Sequence, residues 1–172
     1  APYENTLNRL KQEADASGLF QSFEICRTKD LDASFVDRFR DVLAMDRGGG
    51  YWIWKVPLMQ QHLKRLQYGD ILVYLDGGDS VDKNGTDRFW WYVEQMQRTS
   101  TSILTFRMEH KELMWTSDAI FKYFNITPKT SLWDKVAETG QYMASVLIMR
   151  KTPQLESIMA MFNQTLYDDP YL

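Results

Sequence analysis

Two aspartates, Asp76 and Asp79, sit in the turn LDGGD that closes the most strand-like run of the chain, DILVYLD. An apolar run of β-formers ending on a carboxylate serves several chemistries, and residue spacing separates them. A P-loop NTPase needs G-x-x-x-x-G-K-[ST], which is not in this sequence. A phosphatase-type nucleophile has its second Asp two residues on, where this chain has Gly78. A dinucleotide fold needs G-x-G-x-x-G directly after a strand, whereas GGGYW precedes a helical pattern with no strand before it. What remains is a diphosphate bridged by a hard divalent cation on carboxylate oxygens, with glycines letting the backbone come close. An ordinary strand-to-loop turn with solvated aspartates stays open beside it.

The elements that must position these residues follow from periodicity. YENTLNRLKQEADASG reads as a helix with Leu7, Leu10 and Ala14 on one face and Gly18 as its C-cap. FQSFEICR reads as a strand, and DLDASFVDRFRDVLAMD as a helix with Phe35, Phe39, Val42 and Leu43 inward. RGGGYW is a loop; PLMQQHLKRLQYG is a helix opened by Pro57 and ended by Gly69. DILVYLD is apolar almost throughout, as in a strand covered on both faces. Helix DRFWWYVEQMQR, strand TSILTFRM, helix TSDAIFKYFN, strand YMASVLIMRK and helix TPQLESIMAMFNQTL complete the pass. Alternating strands and helices predict an α/β layered domain with a largely parallel sheet, where ligands bind outside the carboxyl ends of the strands. Asp76 is at such an end.

Composition narrows the class. The 172 residues suit one domain, with 44% hydrophobic and 25% charged residues. The net charge of −3 and the lack of a long basic run argue against binding nucleic acid through its phosphates. No apolar run approaches the ~20 residues that cross a bilayer. The single Cys26 makes no internal disulfide, which points to a reducing, cytoplasmic setting. A start at Ala1 inside a helical pattern, and an end at YDDPYL, suggest a piece of a longer protein. Aromatics reach 14%, and Trp52, Trp90, Trp91 and Tyr92 are expected mostly in packing.

GGGYWIWK, GDILVYLDGGD, ILTFRMEHKELMWTSDAIF and ETGQYMASVLIMRK, in this order, resemble the GT-A glycosyltransferase domains of large algal DNA viruses and related bacterial surface-polysaccharide enzymes. The likeness spans about residues 3–169 and is most specific from Gly48 to Asp79. It implies a GT-A fold, Rossmann-like with a mostly parallel central sheet, as one domain over residues 1–172 that lacks its first strand and its C-terminal segment. It implies a metal-dependent glycosyltransferase with bound Mn2+ or Mg2+, a nucleotide-sugar donor (a UDP-sugar foremost) and a glycan hydroxyl as acceptor. The alternative is a noncatalytic domain that binds glycan or nucleotide, or scaffolds a partner.

Matched position by position, the resemblance makes Asp76 the first acid of a D-x-D-type metal motif. Asp79 falls one place later than the usual second acid. Arg47, Tyr51, Trp54 and Lys55 fall beside the donor site, with Lys55 facing diphosphate charge. Gly77 and Gly78 leave room for phosphate. Gly140 and Gln141 match a G-Q position at the donor sugar, with Gln141 in a catalytic role, and Glu109 and His110 match acceptor-side positions, Glu109 as the other catalytic residue. Val56 stands where many relatives have Pro directly after the lysine.

Overall fold

The computed structural model describes residues 3–128 and 130–172. Its first helix, α1 (Glu4–Ser17), buries Leu10 and Ala14 and ends on Gly18 at φ 66°, the left-handed cap expected of that glycine. FQSFEICR, expected as a strand, enters no ladder and is irregular. Its alternation carries local propensity only, and a strand exists through its partner. The next predicted helix is split at Phe39 into α2 (Ala33–Arg38) and α3 (Arg40–Leu43), still with Phe35, Phe39 and Val42 inside. A helical turn α4 (Gly48–Tyr51) follows, then α5 (Lys55–Arg65). α5 ends before Gly69, which at φ 99° turns the chain and donates its N–H to Lys151 O.

β1 (Ile71–Leu75) ends just before Asp76. α6 (Thr86–Arg98) leads to β2 (Ile103–Leu104) and β3 (Arg107–Lys111), two pieces of one predicted strand. α7 (Asp118–Tyr123) and α8 (Ser131–Val136) precede β4 (Gly140–Tyr142) and β5 (Val146–Arg150), again two pieces of one predicted strand. α9 (Pro153–Asp168) closes the described chain, with Thr152 accepting the N–H of Leu155 and Pro153 in the first turn.

The sheet corrects the expected GT-A architecture. Every strand pairing in the described residues is antiparallel, in a three-stranded sheet β1-β5-β2 and a two-stranded sheet β3-β4. Among the described residues no layered parallel sheet of the Rossmann-like kind is formed, and helix dominates. β1 and β2 run parallel to each other with α6 as their crossover, as strand–helix–strand order predicts. β5 then enters between them in the opposite direction, pairing Leu75 with Val146 on one side and Leu104 with Ile148 on the other. Alternation of elements fixes a crossover, but not what later slots between its strands.

α5 stands between two cores. Its Leu58 joins Leu31, Phe35, Phe39, Val42 and Ile53, while its Met59 and Leu63 join Met149, Leu155 and Met159 beneath the sheet. The methionines of SIMAMF divide accordingly: Met159 is buried and Met161 exposed. Anchored on both cores, α5 is a rigid support for Lys55 at its first position.

Candidate functional site

The acid turn is built by the sheet. Asp76 N–H donates to Ser145 O at 2.9 Å, carrying the β1–β5 ladder one residue beyond β1. The same N–H donates to Asp79 Oδ2 at 2.9 Å, and Asp79 N–H donates to Asp76 O at 2.9 Å, which closes the turn upon itself. Burial raises the Asp79 pKa, against the lowering by that Asp76 N–H. Asp79 is thus a turn-holder as well as an acid.

Lys55 meets this turn from α5. Its Nζ lies 2.8 Å from Asp76 Oδ1 and 2.9 Å from Oδ2, and donates to Ala144 O at 3.2 Å. The Lys55 side chain is 14% exposed and that of Asp76 33%, so the pair is partly withdrawn from water. Tyr74, two residues before Asp76 and therefore on the same strand face, donates its hydroxyl to Asp76 Oδ1. Burial raises the Tyr74 pKa most, followed by that hydrogen bond and the charges of Asp76 and Asp79, so the phenol stays protonated. Tyr74 was legible as the residue at period two from Asp76.

α1 fastens the far side. Arg9 donates to Asp79 O at 2.9 Å and to Gly78 O at 3.4 Å, and pairs with Glu13 one turn on at 2.9 Å. Glu13 Oε2 accepts the N–H of Val81 at 2.9 Å. A Cβ on Gly77 would stand 2.9 Å from Leu7 Cδ2, so that glycine is covered, while Gly78 has open space. A groove of about 330 Å³ runs beside the turn, lined by Glu13, Ala16 and Ser80 through Lys83.

The Val81 N–H and Arg9 hold the Glu13 pKa below the ordinary carboxylate value. A depressed carboxylate stabilises the fold fully above its unfolded pKa of about 4.3 and loses that effect as pH falls through the folded value. Glu13→Gln is therefore expected to lower the melting temperature at pH 7. The gap from the parent should close as pH falls through the depressed folded value. A gap independent of pH in thermal melts would show that the carboxylate charge has no part in fastening the turn.

The GGGYW segment gives Lys55 its approach. Gly48, Gly49, Gly50, Tyr51 and Trp52 all have positive φ, between 51° and 92°, with Tyr51 N–H donating to Arg47 O at 2.7 Å. This is one turn of left-handed helix, and two of its members are not glycine. L residues pay about 1–2 kcal/mol each for that conformation. Trp54 Nε1–H donates to Gly48 O at 3.0 Å and locks the turn. Trp52, expected in the core, is 45% exposed with its ring laid over Gly48; Ile53 is the buried residue instead. The left-handed turn rotates the alternation that an extended YWIW would have given. Tyr51 is exposed beneath the Arg47 guanidinium, 5.9 Å from its ring centre.

The other matched positions lie on the second sheet. Gly140 pairs with Lys111, and a Cβ there would stand 2.1 Å from Met108 O, so close strand approach accounts for this glycine. Gln141 is half-buried beside it; Glu109 and His110 are exposed on β3, with His110 against Trp115 at 5.8 Å. Among the described residues, none of these shares a hydrogen bond or ion pair with Asp76 or Lys55.

A second cluster had no sequence signal. Cys26 Sγ lies 3.2 Å from His62 Nε2 in a groove of about 580 Å³ lined also by Glu24, Asp30, Gln61 and Arg65. Burial, then Glu24 and Asp30, push the thiol pKa up; burial, then Arg65, push the imidazole pKa down. The pair is therefore neutral near pH 7.

Asp76 and Asp79 supply the hard carboxylate oxygens that Mn2+ or Mg2+ prefers. Among the described residues no group of three or more His, Cys, Asp or Glu is arranged to hold a metal. Two carboxylates fit an ion that draws its remaining ligands from substrate phosphate and water. The oxygens are not free: the Lys55 ammonium spans both Asp76 oxygens, the Tyr74 hydroxyl donates to Asp76 Oδ1, and Asp79 Oδ2 accepts the Asp76 N–H. No helix of the described chain is long and apolar enough to cross a membrane. Comparison with family models, curated proteins and solved structures finds no match to this chain.

Proposed function

We propose that the chain is a glycosyltransferase that moves a sugar from a nucleotide-sugar donor to a glycan hydroxyl, with Mn2+ or Mg2+ held by Asp76 and Asp79. One observation supports this reading above others. The two most specific blocks of the sequence, Gly48–Lys55 and Asp76–Asp79, meet at a single point through Lys55 and Asp76, 21 residues apart in the chain. Nothing in an ordinary solvated turn requires that meeting.

In the reaction the bond from the sugar's anomeric carbon to the diphosphate oxygen breaks. A bond to the acceptor oxygen forms, and the hydroxyl proton passes to a base. Asp76 and Asp79 would hold the ion, which when bound would supply Lewis-acid neutralisation of the departing diphosphate. The chain's own part is to hold the two acids in a fixed turn, to place the Lys55 ammonium beside them, and to leave Gly78 open where phosphate must approach closely. On the β3-β4 sheet, Glu109 would act from the acceptor side and Gln141 at the donor sugar.

The test is turnover of labelled nucleoside diphosphate sugars in manganese, with glycan acceptors and with water alone. Release of the nucleoside diphosphate together with a lengthened glycan supports the reading. Donor binding without turnover makes the chain a noncatalytic nucleotide-sugar binder. Failure to bind any donor removes the proposal.

A further inference from the structure

The Asp76 carboxylate already holds a cation, and it belongs to the chain. Lys55 Nζ touches both of its oxygens at 2.8 and 2.9 Å, with Ala144 O as its third partner at 3.2 Å. The ammonium is not an idle surface charge: its side chain is only 14% exposed, and α5 is fixed between two cores. A divalent ion arriving alone at Asp76 would have to displace this ammonium or bind beside its like charge. A diphosphate arriving alone would face three carboxylates, Asp76, Asp79 and Glu13, against Lys55 and the Arg9 that is already paired with Glu13. Each partner is therefore disfavoured until the other is present.

Resting on the nucleotide-sugar reading above, we infer that Lys55 is an exchangeable counter-cation. It neutralises Asp76 while the site is empty of donor, yields that carboxylate to the divalent ion, and transfers its ammonium to the incoming diphosphate. No covalent bond changes; one ion pair is traded for two. The flexible four-carbon stem of lysine permits the swing, and its compact charge suits both partners. Ion and diphosphate must then bind cooperatively, each raising the affinity of the other by the same factor.

Calorimetry on the full chain tests this with manganese chloride alone, uridine diphosphate alone, and each in the presence of the other. For the parent, each probe alone should bind weakly, with a mutual enhancement of about 5- to 150-fold. Lys55→Met should bind manganese alone at least about tenfold more tightly, since the resident charge is gone. It should bind the diphosphate with manganese at least about tenfold less tightly, since the transferred partner is missing. Lys55→Arg keeps the charge and should keep weak binding of manganese alone. Thermal melts of each variant confirm that folded protein is being compared.

Unchanged manganese affinity in Lys55→Met would overturn the exchange, as would manganese binding by neither protein. Independent binding of the two probes to the parent would overturn it as well. If uridine diphosphate binds neither protein under any condition, the nucleotide-sugar reading falls. The manganese arm then still reports whether Lys55 excludes the ion from Asp76.

Discussion

Gly50→Ala is expected to destabilise the protein by about 2–5 kcal/mol, a large part of the roughly 5–15 kcal/mol that holds a domain together. Two costs add. Gly50 has φ 92°, a conformation an L residue adopts only under strain. A Cβ there would also lie 2.7 Å from Leu43 Cα and 2.8 Å from Val42 O, and neither is a side chain that can rotate away. Gly49 supplies the control. Its φ of 58° is equally left-handed, but an added Cβ would meet only Trp54 Nε1 at 3.8 Å. Gly49→Ala should therefore cost only the conformational part, about 1–2 kcal/mol. Gly48 is intermediate, because its Cβ would strike the Trp52 ring, which is part of a movable side chain. Denaturant unfolding of the three variants gives the comparison. Equal losses at Gly49 and Gly50 would mean that the approach of the turn to α3 is looser than these distances.

Asp76→Asn is expected to reduce donor affinity in manganese by about 10- to 100-fold and to make the remaining binding insensitive to chelator. Asparagine keeps the shape and can still accept from Tyr74, but it gives up the anionic ligand. It also leaves Lys55, mostly out of water, without its counter-charge. That loss should cost about 1–3 kcal/mol of stability, less than for a fully buried pair because Asp76 is a third exposed. Asp79→Asn should do less on both counts. Its main geometric duty is to accept the Asp76 N–H, which an amide oxygen also performs. The measurement is calorimetry of donor binding at saturating manganese and again with chelator. An Asp76→Asn protein that binds donor as tightly as the parent, and responds equally to manganese, would end the metal assignment.

The candidate site was partly legible in the chain. Asp76 was singled out because a β-forming run ending on an acid is a local pattern, and Lys55 only through the resemblance of its glycine–aromatic block. Tyr74 was within reach of the same reasoning through the period of two. Arg9 and Glu13 were not, since an arginine and a glutamate four apart on a helix read as an ordinary surface pair. Only the packing of α1 over the turn gives them the Asp79 carbonyl and the Val81 N–H. At Gly140 the motif suggested the donor sugar, and the structure adds a packing reason for the glycine, since a Cβ there would run into Met108 O across a strand pair.

By itself the sequence determined several of the local elements and some of their ends. The face of α1, the Thr152–Pro153 start of α9, the Gly18 cap and the β1 run follow from side-chain period and from backbone freedom at single residues, which act over a few positions. Tertiary structure alone decided strand direction, because β5 enters between β1 and β2 from the far end of the chain and no local pattern encodes that choice. It also broke two predicted strands so that their halves serve different sheets. It turned GGGYW left-handed, where glycine permits the conformation but the approach to Val42 and Leu43 and the Trp54 bond to Gly48 O impose it. And it set the Lys55 ammonium on the Asp76 carboxylate, because the attraction between opposite charges depends on distance in space and is indifferent to separation along the chain.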